Sequence, residues 1–357
     1  MSILYSPATL GALTLQNHLV MAPMTRNRAI GNVPNELMVE YYQQRSSAGL
    51  IITEGTSPSL NGLGYPRIPG IFSEEQVAGW RKIVTAAHAG GAKFFVQLMH
   101  TGRIGHPLNL PKGARVLGPS AIAAAGEIYT DAEGMKPHPT PEPMSDADIE
   151  AAIAEFATAS RNAVAAGADG VELHAANGYL LEQFIRPNSN QRTDRYGGSI
   201  ENRARFVLEV AKAAIAAIGA DKVGIRLSPY GVYNDMPYYP EMESDYAYLA
   251  ARLSELGLVY VHLVDHSPMG APEVPVTIKQ IVRKTFTRSL ILSGGYDAAR
   301  AERDLESKAC DLVAVGRPFL ANPDLVARWK SGAALNEIDF GTFYTPGPKG
   351  YTDYPLA

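Results

Sequence analysis

The chain has almost no cysteine: Cys310 is alone among 357 residues. That excludes an internal disulfide and any four-cysteine metal or iron–sulfur site, and a reducing, cytoplasmic setting is expected. A charge excess of either sign is missing too, since 32 basic residues face 36 acidic ones for a formal charge of -4. There is no electrostatic case for nucleic acid or for an anionic membrane surface. No segment approaches the ~18 apolar residues of a membrane span. Met1-Ser2-Ile3-Leu4-Tyr5 lacks the basic region and apolar run of a secretory leader. Repeats, low-complexity tracts and composition breaks are also absent, so residues 1–357 are expected to form a single domain.

What is present is alternation. Eight short apolar runs read as strands: His18–Met24, Gly49–Glu54, Lys93–Met99, Gly170–His174, Lys222–Ser228, Tyr260–Asp265, Ser289–Ser293 and Leu312–Gly316. Several are nearly continuous in Val, Ile, Leu or Phe, as strands covered on both sides should be. Helical segments lie between them. Ser73-Glu74-Glu75-Gln76 has the form of a capping box, Ser145 opens Asp146–Ala166, and Ser199 opens Ile200–Ile218 with an inward stripe of Phe206, Val210, Ala214 and Ile218. Further helices are expected near Glu36–Ala48, Ser244–Leu256, Val276–Thr285, Asp297–Ser307 and Asn322–Lys330.

Eight strand–helix units predict an α/β fold of parallel strands closed into a (β/α)8 barrel. An open doubly wound sheet is the competitor, but its glycine fingerprint is missing, because strand one runs into Ala22-Pro23-Met24-Thr25-Arg26. Leu4–Gln16 is expected to form a hairpin that plugs the opposite end. The glycine- and proline-rich segment 103–142 interrupts the third unit and reads as an insertion, with a lid or binding loop set against a plain tether.

In such a barrel the C-terminal ends of the strands converge on one face. They deliver Pro23, Met24 and Thr25, then Glu54 and Gly55, Gln97 and Met99, His174, Asn177 and Tyr179, Arg226, Gly294 and Gly295, and Gly316 and Arg317. The set holds no plausible carboxylate pair and no serine or cysteine nucleophile, so it suits a bound group that brings its own chemistry. Gly294-Gly295 and Gly316-Arg317 sit where barrels commonly bind phosphate. Gln97 and Arg226 suit the edge of a flat heterocycle that becomes anionic on reduction, although Arg226 could instead pair with a carboxylate inside the barrel. The stretch His174-Ala175-Ala176-Asn177-Gly178-Tyr179 offers hydrogen-bond donors for an oxygen and a weak acid nearby.

These residues resemble the Old Yellow Enzyme family of FMN-dependent ene-reductases over almost the whole chain, from Ala22-Pro23-Met24-Thr25 to Gly350-Tyr351-Thr352-Asp353-Tyr354-Pro355. The most specific stretches are His174 to Pro187, continuing from Asn190 to Arg203, and Val315 to Leu325. The resemblance implies FMN, and NADPH or NADH as reductant with NADPH the family-based expectation. It further implies hydride transfer to the β-carbon of a small activated alkene, an enone or nitroalkene, with nitro compounds as further substrates and phenols as inhibitors. By that resemblance Pro23, Met24, Thr25, Gly55, Gln97 and Arg226 would surround the flavin ring, and Gly294, Gly295, Gly316 and Arg317 would hold its phosphate. His174 and Asn177 would grip the substrate oxygen and Tyr179 would donate the proton, with Tyr65, Met99 and Tyr344 lining the substrate side. A monomer or homodimer is expected.

Two departures bear on substrate range. Many relatives carry tryptophan where this chain has Met99, so a roomier pocket is expected. Asn177 stands where some relatives use histidine, which removes one titratable group. Two rival readings remain: a metal-dependent barrel hydrolase built on His174, His262 and His266, and a flavin carrier without catalysis, which leaves Tyr179 without a role. Cys310 reads as a small core residue.

Overall fold

Strands that are apolar on both faces need cover on both, and a ring of strands inside a ring of helices supplies it. In the computed structural model, which describes residues 2–357, the eight runs pair in parallel in chain order. They span Leu19–Met21, Leu50–Ile52, Lys93–Leu98, Gly170–Ala175, Val223–Leu227, Tyr260–Val264, Ser289–Ser293 and Leu312–Val315. The eighth pairs back onto the first, with Val313 opposite Leu19 and Val315 opposite Met21, which closes the barrel.

Successive side chains point to opposite faces. Leu19, Met21, Ile51, Phe94, Val96 and Val171 join the core under the helices. Val20, Leu50, Ile52, Phe95, Tyr260, Ile291 and Leu312 form an inner core. There, large and small residues interlock: a Cβ on Gly170 would collide with the Phe95 ring, and one on Gly224 with the Tyr260 ring. Leu10 and Leu15, from an antiparallel hairpin of Ala8–Leu10 and Leu13–Leu15, pack into this same cluster. One layer further along the strands the inward residues become polar. Glu172 accepts from Gln97 Nε2 at 2.7 Å, Tyr260 Oη at 3.0 Å and His262 Nδ1 at 2.9 Å.

Helix starts follow local chemistry. Ser73 and Gln76 form the reciprocal capping box, as do Ser145 and Asp148. Phe206, Val210 and Ala214 are buried as the stripe requires, and Ile218 is half-buried. Ser199 makes no side-chain cap, and its helix is divided at Ala204 into Ile200–Arg203 and Arg205–Ile218. The first helix stops at Gln44 instead of Ala48, where Arg45 leaves helical geometry. The last begins at Leu325 instead of Asn322, because Asn322 closes a short helix, Arg317–Ala321, by donating to Pro318 O at 2.8 Å.

The insertion after strand three contains a two-residue parallel pairing of Leu117–Gly118 with Glu142–Pro143. It also carries an antiparallel hairpin of Glu127–Thr130 with Gly134–Pro137. Cys310 is buried and unpaired.

Candidate active site

The C-terminal ends of the strands open into a cavity of about 1150 Å³. Its wall includes every candidate residue except Glu54 and Gly55: Pro23, Met24, Thr25, Tyr65, Gln97, Met99, His174, Asn177, Tyr179, Arg226, Gly294, Gly295, Gly316, Arg317 and Tyr344. Gly55 lies behind the wall, where a Cβ would meet Met99 Sδ at 2.5 Å. The absence of a side chain there accommodates the Met99 thioether. Met99 packs there with Leu63 and Ile68, and with Tyr65 and Tyr179 partly buried beside them.

On strands four and five His174 and Arg226 are register partners. Both are buried, and both carry an orphaned nitrogen, His174 Nδ1 and Arg226 Nε. Burial first, then the nearby Arg226 charge, holds the His174 imidazole well below its ordinary pKa, so it is neutral with a single N–H. Arg226 makes no ion pair within 4.0 Å among the described residues, although Glu172 acts on it at longer range. The alternative of a paired structural arginine therefore has no partner in contact. Unsatisfied donors in a buried wall are costly unless a ligand or water completes them.

The loop after strand four is strongly shaped. Asn177 takes φ 58° and Gly178 φ 79°, conformations in which asparagine and glycine are the usual choices. Ser228 Oγ accepts from Asn177 N at 2.8 Å, and Asn234 Nδ2 donates to Asn177 O at 2.7 Å. Tyr179 then begins the helix Leu180–Ile185. Its hydroxyl lies 3.2 Å from that of Tyr65, and the two rings meet edge to face at 6.1 Å. Burial pushes the Tyr179 phenol above its ordinary pKa, so it stays protonated at neutral pH.

Strands seven and eight supply backbone. Gly294 has φ 128° and Gly295 φ 62°, and side chains there would strike Asp265 and Pro268. At Gly316, however, the nearest atom to an added Cβ is Met24 Sδ at 3.5 Å, an ordinary contact. Gly316 itself takes φ -98° and ψ -92°, outside the regions that side-chain-bearing residues favour, and its missing side chain leaves space open to the cavity. Arg317 beside it has no carboxylate partner among the described residues and stacks 5.7 Å from the Phe340 ring.

Sequence reasoning overlooked several wall residues. Asn234, seven residues past strand five, was not singled out, and Glu127, Ile128 and Tyr129 were covered only by the general reading of segment 103–142 as a lid or binding loop. His266 was legible only as a possible metal ligand, and the structure instead sets it 2.7 Å from Asn177 Oδ1. His262 is bonded to Glu172 and Ser293 inside the barrel. No three His, Cys, Asp or Glu side chains among the described residues gather as a metal set.

A parallel barrel with bare backbone and a free guanidinium at strands seven and eight, and uncharged donors across the cavity at strand four, defines a barrel oxidoreductase for a flat phosphorylated cofactor. The model of the NADH:flavin oxidoreductase / NADH oxidase family matches residues 3–336. Chanoclavine-I aldehyde reductase of Penicillium roqueforti is 42% identical over 369 residues, covering 100% of this chain and 97% of that protein. A probable flavin mononucleotide-dependent alkene reductase of Leishmania infantum is 40% identical, covering 99% and 97%. Morphinone reductase superposes with a TM-score of 0.96 at 42% identity, covering 100% of this chain and 96% of that one. A complex of that reductase with tetrahydroNAD superposes at 0.94 with 43% identity, covering 99% and 97%. The chain belongs to the NADH:flavin oxidoreductase / NADH oxidase family, the Old Yellow Enzyme group that its motifs resemble.

Proposed function

We propose that this chain is an FMN-dependent ene-reductase that reduces small electron-poor alkenes, with residues 1–357 acting as one cofactor-binding unit. The observation that carries the reading is the placement of two uncharged donors, His174 and Asn177, and a protonated phenol, Tyr179, on one wall of a cavity. The opposite part of that cavity is lined by Gly294, Gly295, Gly316 and Arg317. The orphaned Arg226 Nε and the side-chain space at Gly316 fit a phosphorylated, ring-bearing cofactor. Gly294, Gly295, Gly316 and Arg317 would hold the phosphate. Pro23, Met24, Thr25, Gln97 and Arg226 would border the ring. When bound, FMN supplies hydride to the β-carbon of the alkene after its own reduction by NADPH or NADH.

The chain's residues do the rest. His174 and Asn177 bind the carbonyl or nitro oxygen and draw electron density from the double bond. Negative charge grows on that oxygen in the transition state, where one preorganised donor contributes about 2.7–4 kcal/mol in comparable oxyanion sites. The neutral state of His174 leaves it a donor without placing a second cation beside Arg226. Tyr179 holds a proton for the α-carbon, and Tyr65 orients its hydroxyl. Phenols fit the same grip and would compete with substrate. Tyr344, 59% exposed at the rim, and Met99 shape the substrate side.

The test is a visible spectrum of the purified protein, anaerobic reduction with each nicotinamide, and reoxidation by cyclohexenone. A flavin spectrum and rapid reoxidation are expected; colourless protein that takes up no FMN would end the reading. Tyr179→Phe should leave reduction by nicotinamide intact and slow turnover of weakly activated enones on the order of a hundredfold. Unchanged turnover would remove Tyr179 from the reaction.

A further inference from the structure

A carboxamide can serve as an oxygen-binding donor in only one of its two orientations. The backbone of Asn177 is fixed on both sides, by Ser228 Oγ on its N–H and Asn234 Nδ2 on its carbonyl. Its terminal torsion is of the broad, roughly two-fold kind that lets oxygen and nitrogen exchange places unless a neighbour tells them apart. His266 is that neighbour. Its Nε2 lies 2.7 Å from Asn177 Oδ1, an arrangement that leaves the Nδ2 hydrogens for the cavity.

The imidazole is itself held. It follows strand six at 8% exposure, and its carbonyl accepts from Met269 N at 2.8 Å and Ala271 N at 3.3 Å. Tyr233 packs edge-on against the ring at 4.7 Å. The preceding Asp265 is pinned by Ser267 N at 3.0 Å and Lys279 Nζ at 2.8 Å. Burial first, then Arg226, pushes the His266 pKa down to about 3. The ring is neutral in the working range and carries one N–H, and only the tautomer with that proton on Nε2 matches the amide oxygen placed 2.7 Å away.

We propose that His266 is a positioning residue, donating Nε2–H to Asn177 Oδ1 and thereby aiming the Nδ2 hydrogens at the substrate oxygen. This rests on the ene-reductase reading of Asn177. A direct contact between His266 and the ligand is the competing role, since its ring also borders the cavity.

A double-mutant cycle separates them, using FMN-loaded protein and para-hydroxybenzaldehyde as the probe, with dissociation constants read from the visible spectrum. His266→Phe should weaken binding about tenfold in the wild-type background and by less than about twofold when Asn177→Ala is already present. His266→Gln, which keeps an amide donor, should recover binding to within about threefold of wild type. Equal losses in both backgrounds, or no loss in the wild-type background, would overturn the inference. Each protein's flavin spectrum is recorded first. A chain that takes up no FMN sinks the ene-reductase reading and this inference with it, whereas a flavin-loaded, ligand-binding chain without coupling sinks this inference alone.

Discussion

The cavity has two rims that the chain holds in opposite ways. One is the segment from Phe340 to Tyr351, which lines the cavity through Phe340, Phe343 and Tyr344. Buried cations tie it down: Arg28 donates to Phe343 O at 2.6 Å, Thr342 O at 2.8 Å and Lys349 O at 3.0 Å. Arg26 donates to Gly350 O at 2.6 Å, and Tyr351 stacks on Tyr41 at 4.0 Å. The other rim is the hairpin Glu127–Pro137. It is tied across the cavity by an ion pair between Arg67 and the largely exposed Asp131, and from below by Asn109 Nδ2 to Tyr129 O at 2.9 Å. Multiple buried charge-assisted bonds fix a segment firmly, whereas one partly exposed ion pair and one hydrogen bond hold it less tightly. The hairpin is therefore the more weakly held of the two rims.

The strongest way to break this contrast is Arg28→Ala, which strands several buried carbonyls at once. A loss on the order of 4 kcal/mol in denaturant unfolding is expected, and a loss below about 1 kcal/mol would show that the rim does not depend on the guanidinium. Glu54, beneath the same rim, is next. Burial, only partly opposed by Arg26, raises its carboxyl from 4.5 to about 7. A raised acid favours folding while protonated, so its contribution is full below pH 4.5 and is lost as pH rises through about 7. Glu54→Gln should match wild type in acid and exceed it at pH 8 by on the order of 3 kcal/mol; parallel stability curves across that range would contradict the assignment. Asp131→Ala should have the smallest effect, within about 1 kcal/mol of wild type, yet it should speed amide hydrogen exchange in residues 127–137. Unaltered exchange there would mean that the ion pair is not what holds the hairpin.

The same contrast explains what could be read in advance. All eight strands were legible because runs such as Phe94-Phe95-Val96 and Ser289-Leu290-Ile291-Leu292 are apolar on both faces, and their ends then located the cavity wall. The helices Leu180–Ile185 and Arg317–Ala321 were not, since five or six residues are too few to show a period. The close approach of the Met99 thioether to Gly55 was not legible, since a glycine after a strand reads alike whatever packs against it. His266 meets Asn177 across 89 residues of chain, and no local pattern encodes that meeting. Nothing local in the sequence marks Arg26, Arg28 and Arg45 for the burial that the tertiary fold gives them.

Arg26 and Arg28 find their acceptors at Gly350 and Phe343, 324 and 315 residues further along. During translation the loop after strand one leaves the ribosome long before those carbonyls exist. Until they do, two cations destined for a dry interior must stay hydrated, and the wall that strand one contributes cannot settle. Closure of such distant contacts is intrinsically slow, so cofactor uptake by the nascent protein is expected to be among its last maturation events.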